Sequence, residues 1–415
     1  MNKILSKIWG KIQGVHINDS HVKAENSRNV DMATPKSVDM SSKSQASKCP
    51  KCASGNFVKR GIKRKKLENV QIYLCKDCGK TFVEPEQKGK HYPMRLVIEG
   101  MSYYNLGFGL KQTCQLLNQK FGVNPGASTL AGWVTQHSGL CRYARIRSYA
   151  IKMCKPQETV EVTTMAHRQL YRFRYHRPKL KLIINEHYKH RKFEPLMDYL
   201  DAVSSETPHQ YFQEGLRMSE IKSKFDKAQM IVKSKHNYAN ELARFALQAV
   251  KENKQRHEEL QRFMIANDSV TVATEVPVYI RKEDIEHMEN QLGFVILDEG
   301  GILVKGEKKK ELPRLVTGHI DLVQVRNGMC HLLDYKPDAA KEKPIEQLTW
   351  YALALSRLTG LRLYEFKCGW FDEKDYFEFY PLHVVKKISN RKRKKIYFKS
   401  GTTVEIPEEN KIVVA

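Results

Sequence analysis

Two groups of residues in this 415-residue chain have types and spacings that could do chemistry. The first lies in GHIDLVQVRNGMCHLLDYK, from Gly318 to Lys336. Asn327-Gly328 supplies the residues that tolerate positive φ in a two-residue type I′ turn, and apolar runs lead into and out of it. If Arg326 faces Met329 across that turn, the register puts Asp321 opposite Asp334 and His319 opposite Lys336, all on one face. Two carboxylates about 5 Å apart at Cβ repel one another, and apolar neighbours remove the water that would screen them. Buried charges are normally paired or metal-bound, so a divalent metal together with Lys336 is expected between them. The alternative is a surface hairpin with its charges in solvent.

The second group is Cys49-Pro-Lys-Cys52 and Cys75-Lys-Asp-Cys78, two CxxC knuckles 22 residues apart. Four thiolates on two such hooks close a tetrahedral Zn²⁺ shell with no position left for substrate, which makes the metal structural.

The elements that must hold these residues follow from pattern. Residues 1–46 are polar and read as a flexible tail. In 47–88, Phe57-Val58 and Val70–Leu74 suit short strands of a zinc ribbon. In 91–140, apolar residues at helical spacing predict helices over Met94–Gly100, Leu110–Phe121 and Ser128–His137, with Ser128 as an N-cap. This is either a helix-turn-helix whose last helix offers Ser128, Thr129, Trp133 and Gln136 to the major groove, or a structural three-helix bundle. Residues 141–234 form a basic, partly helical linking region. Within it, the run from Arg168 to Arg177 either binds nucleic acid through Arg172 and Arg174 or forms an edge strand with one solvated face. From 235 to 385, helices at Tyr238–Lys251 and His257–Met264 give way to a strand over Thr271–Ile280, a hairpin over Gly293–Val304 and the acidic hairpin. A helix then starts at Pro344, and strands follow at Leu363–Trp370 and Tyr376–Leu382. Residues 386–415 are a basic extension.

Composition narrows the partners. With 71 Lys plus Arg against 46 Asp plus Glu, the net charge of +25 predicts attraction to a polyanion, with DNA favoured over membrane. No apolar run reaches membrane-spanning length and the start lacks a secretory signal, so an intracellular, cytoplasmic, DNA-associated protein is expected. Nine cysteines, four of them in a metal pattern, suit a reducing compartment.

The zinc ribbon followed by helices, with CKDCGKTF and a Trp-bearing helix, resembles the DNA-binding half of prokaryotic insertion-sequence transposases over about residues 47–140. No spaced Asp-Asp-Glu core follows it. Over about 235–385 the chain resembles the PD-(D/E)XK nuclease superfamily, in its RecB-like branch. The match is carried by Glu275 in TEVPV, Asp321 in GHIDL, Asp334 and Lys336 in DYK, and Gln347 with Tyr351 in QLTWY. That resemblance implies a multidomain chain: a small zinc ribbon, a helix-turn-helix unit, and an α/β restriction-endonuclease-like core with a mixed sheet flanked by helices. It implies that Asp321, Asp334 and the Tyr335 carbonyl bind Mg²⁺ or Mn²⁺, that Lys336 orients the attacking water, and that Glu275 assists. Gln347 and Tyr351 would support the site and the DNA strand. It also implies a histidine ligand, for which His236, His257 and His319 compete; His236 is the nearest match, and His319 could instead touch phosphate. Only Cys368 follows the motifs, so no iron-sulfur cluster is expected. The function implied is a metal-dependent deoxyribonuclease. The alternatives are an accessory endonuclease or transposase component of a mobile element or virus, and a DNA-binding regulator with an inactive nuclease fold. Partners expected besides DNA are a second copy of the chain, or mobile-element or repair proteins.

Overall fold

The computed structural model describes residues 48–64, 67, 69–83, 91–222, 225, 232–234, 237–248, 250, 255–296, 302–304, 307–309, 314–386, 394–397 and 403–406.

The two knuckles frame a three-stranded antiparallel sheet of β1 (Phe57–Arg64), β2 (Asn69–Cys75) and β3 (Thr81–Phe82). Its own core is little more than Phe57, Tyr73 and Phe82, with Tyr73 and Phe82 stacked at 5.5 Å. So small a core cannot carry a fold unaided. Each knuckle turns through a left-handed residue, Ala53 at φ 58° and Gly79 at φ 65°, whose N–H donates to the carbonyl of that knuckle's first cysteine, Cys49 and Cys75 respectively.

Three helices follow: α1 (Met94–Asn105), α2 (Leu110–Phe121) and α3 (Ala127–Gln136). They meet at Gly100, where a Cβ would stand 3.0 Å from a Leu130 methyl and 3.1 Å from one of Leu117. The N-cap of α3 is Gly126, extended at ψ 152°, and not Ser128, which lies inside the first turn.

The remaining elements are α4 (Ala144–Met153), the hairpin β4 (Glu161–His167) and β5 (Gln169–Tyr175), then α5 (Arg177–Glu186), α6 (Glu194–Glu206) and α7 (His209–Glu214). Short strands β6 (Leu216–Arg217), β7 (Ile221–Lys222) and β8 (Val232–Ser234) precede α8 (Tyr238–Leu247) and α9 (Arg256–Asn267). Next come β9 (Thr271–Arg281), α10 (Lys282–Asn290), β10 (Ile302–Val304), β11 (Glu307–Lys309), β12 (Leu315–Arg326) and β13 (Met329–Tyr335). The chain continues with α11 (Ile345–Thr359), β14 (Phe366–Phe371), β15 (Tyr376–Phe379), α12 (Pro381–Val385), β16 (Lys394–Tyr397) and β17 (Thr403–Ile406).

Nine of these strands form one mixed sheet in the order β4-β5-β9-β12-β13-β14-β15-β8, with β6 alongside β12. Neighbours are antiparallel except β13 with β14 and β6 with β12. The parallel pair β13/β14 needs a crossover, which α11 supplies. Its Leu348, Trp350 and Leu353 are fully buried in a cluster with Val276, Ile320 and Leu332 of the sheet. A second cluster joins α1–α3 to α8, α9 and the strands: Leu96, Leu117 and Trp133 share it with Leu242, Phe263, Leu333 and Tyr335. The helical unit is therefore built onto the sheet through a common core.

Three elements differ from their sequence pattern. The linking stretch 141–234 contributes β4, β5, β6 and β8 to the main sheet. The Arg/Tyr-rich β5 is not an edge strand, because β4 covers one side and β9 pairs with its end, where Phe173 and Tyr175 are fully buried. The hairpin expected over 293–304 is formed by β10 and β11, at Ile302–Lys309.

Candidate functional site

The β12/β13 ladder pairs Arg326 with Met329, Val325 with Cys330, Gln324 with His331, Val323 with Leu332 and Leu322 with Leu333. The turn is Asn327-Gly328, at φ 52° and 70°, the left-handed pair that a type I′ turn requires. One step beyond Leu322 and Leu333 stand Asp321 and Asp334. On the other side of β12, Ile320 pairs with Val276 and Leu322 with Thr274, so Asp321 stands level with Glu275. Three carboxylates thus occupy one level of three adjacent strands. Glu275 holds its place at φ 51° within a strand, a costly conformation for a non-glycine residue.

The surroundings separate the three acids electrically. Burial, then the charge of Asp321, raises Glu275 to about 8. Burial and the same charge push Asp334 well above the carboxylate range. Burial would also raise Asp321, but a hydrogen bond and charge from His257, with Lys336 behind, pull it down. Asp321 is therefore the most readily ionised of the three acids. Its Oδ2 lies 3.2 Å from His257 Nδ1 and faces the Tyr335 N–H at 3.4 Å. Lys336 Nζ pairs with Asp334 Oδ2 at 3.0 Å, yet no hydrogen bond of regular geometry reaches that buried oxygen. Burial works against the Lys336 charge, but the two aspartates outweigh it and raise its pKa.

Helix α9 backs this row. His257 reaches Asp321, and one turn on, Gln261 Nε2 donates to Glu275 Oε1 at 2.6 Å. Glu258 of the same helix receives Arg172 and, at 3.1 Å, Arg174. On α11, Gln347 Nε2 donates to Tyr351 Oη at 2.6 Å, and both side chains border a cavity of about 140 Å³ that Glu275 and Asp321 also line. Gly318 makes the close approach possible, since a Cβ there would fall 2.5 Å from a Tyr351 ring carbon.

The far wall of that cavity is aromatic and cationic. His319 stacks on Tyr171 at 3.6 Å, its Nε2 lies 2.8 Å from His167 Nδ1, and His167 Nε2 lies 2.8 Å from His209 Nδ1. Burial, then the neighbouring His209, lowers His167 to about 4, while burial and His167 hold His319 well below its usual value. Arg217 borders the cavity and donates to the Tyr171 hydroxyl.

Glu275, Asp321, Asp334, Lys336, Gln347 and Tyr351 are thus gathered in one place. Of the three histidines, His257 contacts Asp321, His319 lines the cavity, and His236 lies outside the described residues. Arg174 is buried against Glu258, and Arg172 shares that carboxylate, so both are engaged within the protein. Ser128 is exposed on α3, while Thr129, Trp133 and Gln136 line a separate cavity of about 480 Å³ with His91, Tyr92 and Val97. Gln261, Arg217, His167 and His209 were not singled out by sequence pattern. Gln261 alone had a signal, its i, i+4 spacing from His257.

Cys49, Cys52, Cys75 and Cys78 place their sulfurs within 4.8 Å of one another and could hold a structural metal such as zinc. Among the described residues no other group of three or more His, Cys, Asp or Glu is gathered so closely. No helix of the described residues is long and apolar enough to cross a membrane. Compared with protein-family models, curated proteins and solved structures, the chain matches none.

Proposed function

We propose that this protein is a divalent-metal-dependent nuclease that hydrolyses phosphodiester bonds in DNA, with a Zn²⁺-held ribbon and a helix-turn-helix unit in front of a PD-(D/E)XK-like core. The observation that carries the reading is the row Glu275–Asp321–Asp334 with Lys336 beside it, at one level of the sheet.

The residues present fit a hard divalent cation. Asp334 Oδ2 is a buried oxygen that no hydrogen bond of regular geometry reaches, and burial together with the charge of Asp321 raises the pKa of both Glu275 and Asp334. Oxygen donors of this kind suit Mg²⁺ or Mn²⁺. Asp321, Asp334 and the Tyr335 carbonyl would hold it, with His257 the nearest described histidine. When bound, such an ion polarises a phosphoryl group and lowers the pKa of a ligated water.

The chain's own groups supply the rest. Lys336 places a positive charge beside Asp334, where negative charge would accumulate on a phosphate under attack. Glu275, near neutrality in pKa, can exchange a proton with water in the cavity it lines. Tyr351 and Gln347 present a hydroxyl and an amide to a strand entering from that side. The net charge of +25 favours a polyanionic substrate.

Purified protein should cut DNA in Mg²⁺ or Mn²⁺ and stop in EDTA. Asp334→Asn and Lys336→Met should each lower the rate at least a hundredfold while leaving DNA binding within about threefold. Cleavage by those variants at the wild-type rate would sink the assignment. Binding without cleavage by wild type in either metal would favour the regulator.

A further inference from the structure

We propose that the turn Tyr188–Phe193 is a second contact for the DNA, on which Tyr188 stacks an unpaired base while Lys189 and Arg191 take the phosphates beside it. This rests on the nuclease reading and specifies its substrate as DNA with a single-stranded stretch.

The side chains are the first argument. Tyr188 is 72% exposed, and its ring stacks on that of His187 at 4.7 Å. Lys189 Nζ stands 5.8 Å from the centre of the same ring. An aromatic face with cations beside it suits a strand of any sequence, because every base has a π-face and every nucleotide a phosphate. From His187 to Phe193 every charged side chain is basic. Lys189 and Arg191 are exposed and form no ion pair among the described residues, whereas Lys192 pairs with Glu365 at 3.3 Å.

The second argument is rigidity, since an exposed tyrosine is by itself ordinary. The turn is a 3₁₀ helix of six residues between α5 and α6. His187 Nδ1 accepts the Lys189 N–H at 3.1 Å, which fixes the ring on which Tyr188 lies. His190 uses both ring nitrogens: Nδ1 donates to Ile183 O at 3.0 Å and Nε2 accepts the Gly328 N–H at 3.2 Å. Phe193 is fully buried. A base that lands here meets a ring already ordered, so less entropy is lost on binding.

The third argument is placement. Gly328, which bonds His190, lies in the turn of the hairpin that carries Asp321 and Asp334. Glu365, which pairs with Lys192, immediately precedes β14, the neighbour of β13. Five residues of β12 lead from Asp321 to Arg326 at that turn, about 17 Å at 3.3–3.4 Å per residue. That length matches about five nucleotides at the 3.4 Å rise of a stacked strand. The platform is thus fastened to the acid hairpin at a set distance from the acids.

The test uses the full chain without divalent metal and reads fluorescence anisotropy of a single-stranded oligonucleotide and of its duplex. Tyr188→Ala should weaken the single strand roughly five- to hundredfold and the duplex by less than about twofold, because stacking needs an unpaired base. Tyr188→Trp should keep the wild-type affinity. Tyr149→Ala is the control: Tyr149 on α4 is 58% exposed with Lys152 Nζ 5.9 Å from its ring centre, and its loss should change neither affinity. Lys189→Gln together with Arg191→Gln should lower the slope of log affinity against log salt by about 1.4 for the single strand. A melting curve on each variant checks folding, and if Tyr188→Ala does not fold the salt slope decides. Wild-type affinity in Tyr188→Ala, an equal loss in Tyr149→Ala, or an unchanged salt slope would overturn the platform and leave the nuclease reading standing. So would an RNA of the same sequence bound in preference to the DNA. Strand binding that depends on Tyr188, with no cleavage by wild type in Mg²⁺ or Mn²⁺, would do the reverse.

Discussion

Gln261 Nε2 donates to Glu275 Oε1 at 2.6 Å, tying helix α9 to the outer acid of the row at the point where its strand departs from β geometry. The amide neither reacts nor carries charge, so its role is to position the carboxylate. Removing it should leave the fold intact and the acid mis-set. Gln261→Ala is expected to lower the cleavage rate roughly ten- to hundredfold, with KM changed little and the melting temperature within a few degrees. Gln261→Glu should be worse, since it adds a fourth carboxylate. A normal rate in Gln261→Ala would show that Glu275 needs no such support.

Gly318→Ala tests the other wall. The added methyl would lie 2.5 Å from Tyr351 Cε1, closer than real Cβ atoms come, and a tight 3.0 Å from Met218 Sδ. The Tyr351 ring must therefore swing away, breaking its bond from Gln347. Overpacking of this kind costs about 1–3 kcal/mol, visible in denaturant titration, and cleavage should fall with it. Because Gly318 has no side chain to react, loss of activity reports the placement of Tyr351. Unchanged activity would place Tyr351 outside the machinery.

The raised pKa of Glu275 has a sign in stability. Its folded value is about 8 against an ordinary 4.5. Below the ordinary value both folded and unfolded forms are protonated. As pH rises toward 8 the unfolded form ionises and the folded form does not, so stability is lost across that window. Glu275→Gln lacks this loss. Without divalent metal, wild type and Glu275→Gln should differ least near pH 4.5, and the variant should melt progressively higher as pH approaches 8. A gap independent of pH would mean that Glu275 is ionised in the folded protein.

How much of this was legible in the sequence depends on range. The hairpin register followed from Asn327-Gly328, because a two-residue turn fixes every pair beyond it, and the observed pairs from Arg326–Met329 to Leu322–Leu333 obey it. The knuckles were legible because sulfur spacing alone defines them. The place of β5 was not, since alternation in Arg172, Phe173, Arg174 and Tyr175 does not say which strand lies alongside. Its partner β9 comes about a hundred residues later. Arg174 reads as a surface cation until Glu258 arrives from α9 to pair with it. Gln261 and Arg217 carry no motif, and only the assembled sheet reveals what they face.

The cysteine knuckles make a prediction independent of the acid row. Their core of Phe57, Tyr73 and Phe82 shares no residue with the clusters under the main sheet. Cys75→Ser should therefore release bound zinc, measured by atomic emission against wild type, and collapse the ribbon. Metal-dependent cleavage of a short oligonucleotide should stay within about twofold, because nothing at the acid row is supplied by the ribbon. If cleavage of that short substrate vanished with the zinc, the ribbon would have to contribute to the reaction centre.

Glu99 joins the helical unit to the helix behind the row. It is buried on α1, and its carboxylate receives Arg262 of α9 and, at 2.7 Å, Lys120 of α2. Burial alone would raise it; the two cations prevail and hold it at about 2. A depressed acid stabilises the fold above its ordinary pKa of 4.5 and loses that contribution as pH falls toward 2. Glu99→Gln keeps the shape and removes the charge, leaving Arg262 and Lys120 facing one another. It should cost about 1–3 kcal/mol at pH 7, with the difference from wild type shrinking between pH 4.5 and pH 2. Arg262 lies one residue beyond Gln261 on α9, so a loosened α1–α9 contact should also disturb the support of Glu275 and lower the cleavage rate. A stability gap as wide at pH 2.5 as at pH 7 would show that packing, and not the ion pair, holds α1 to α9.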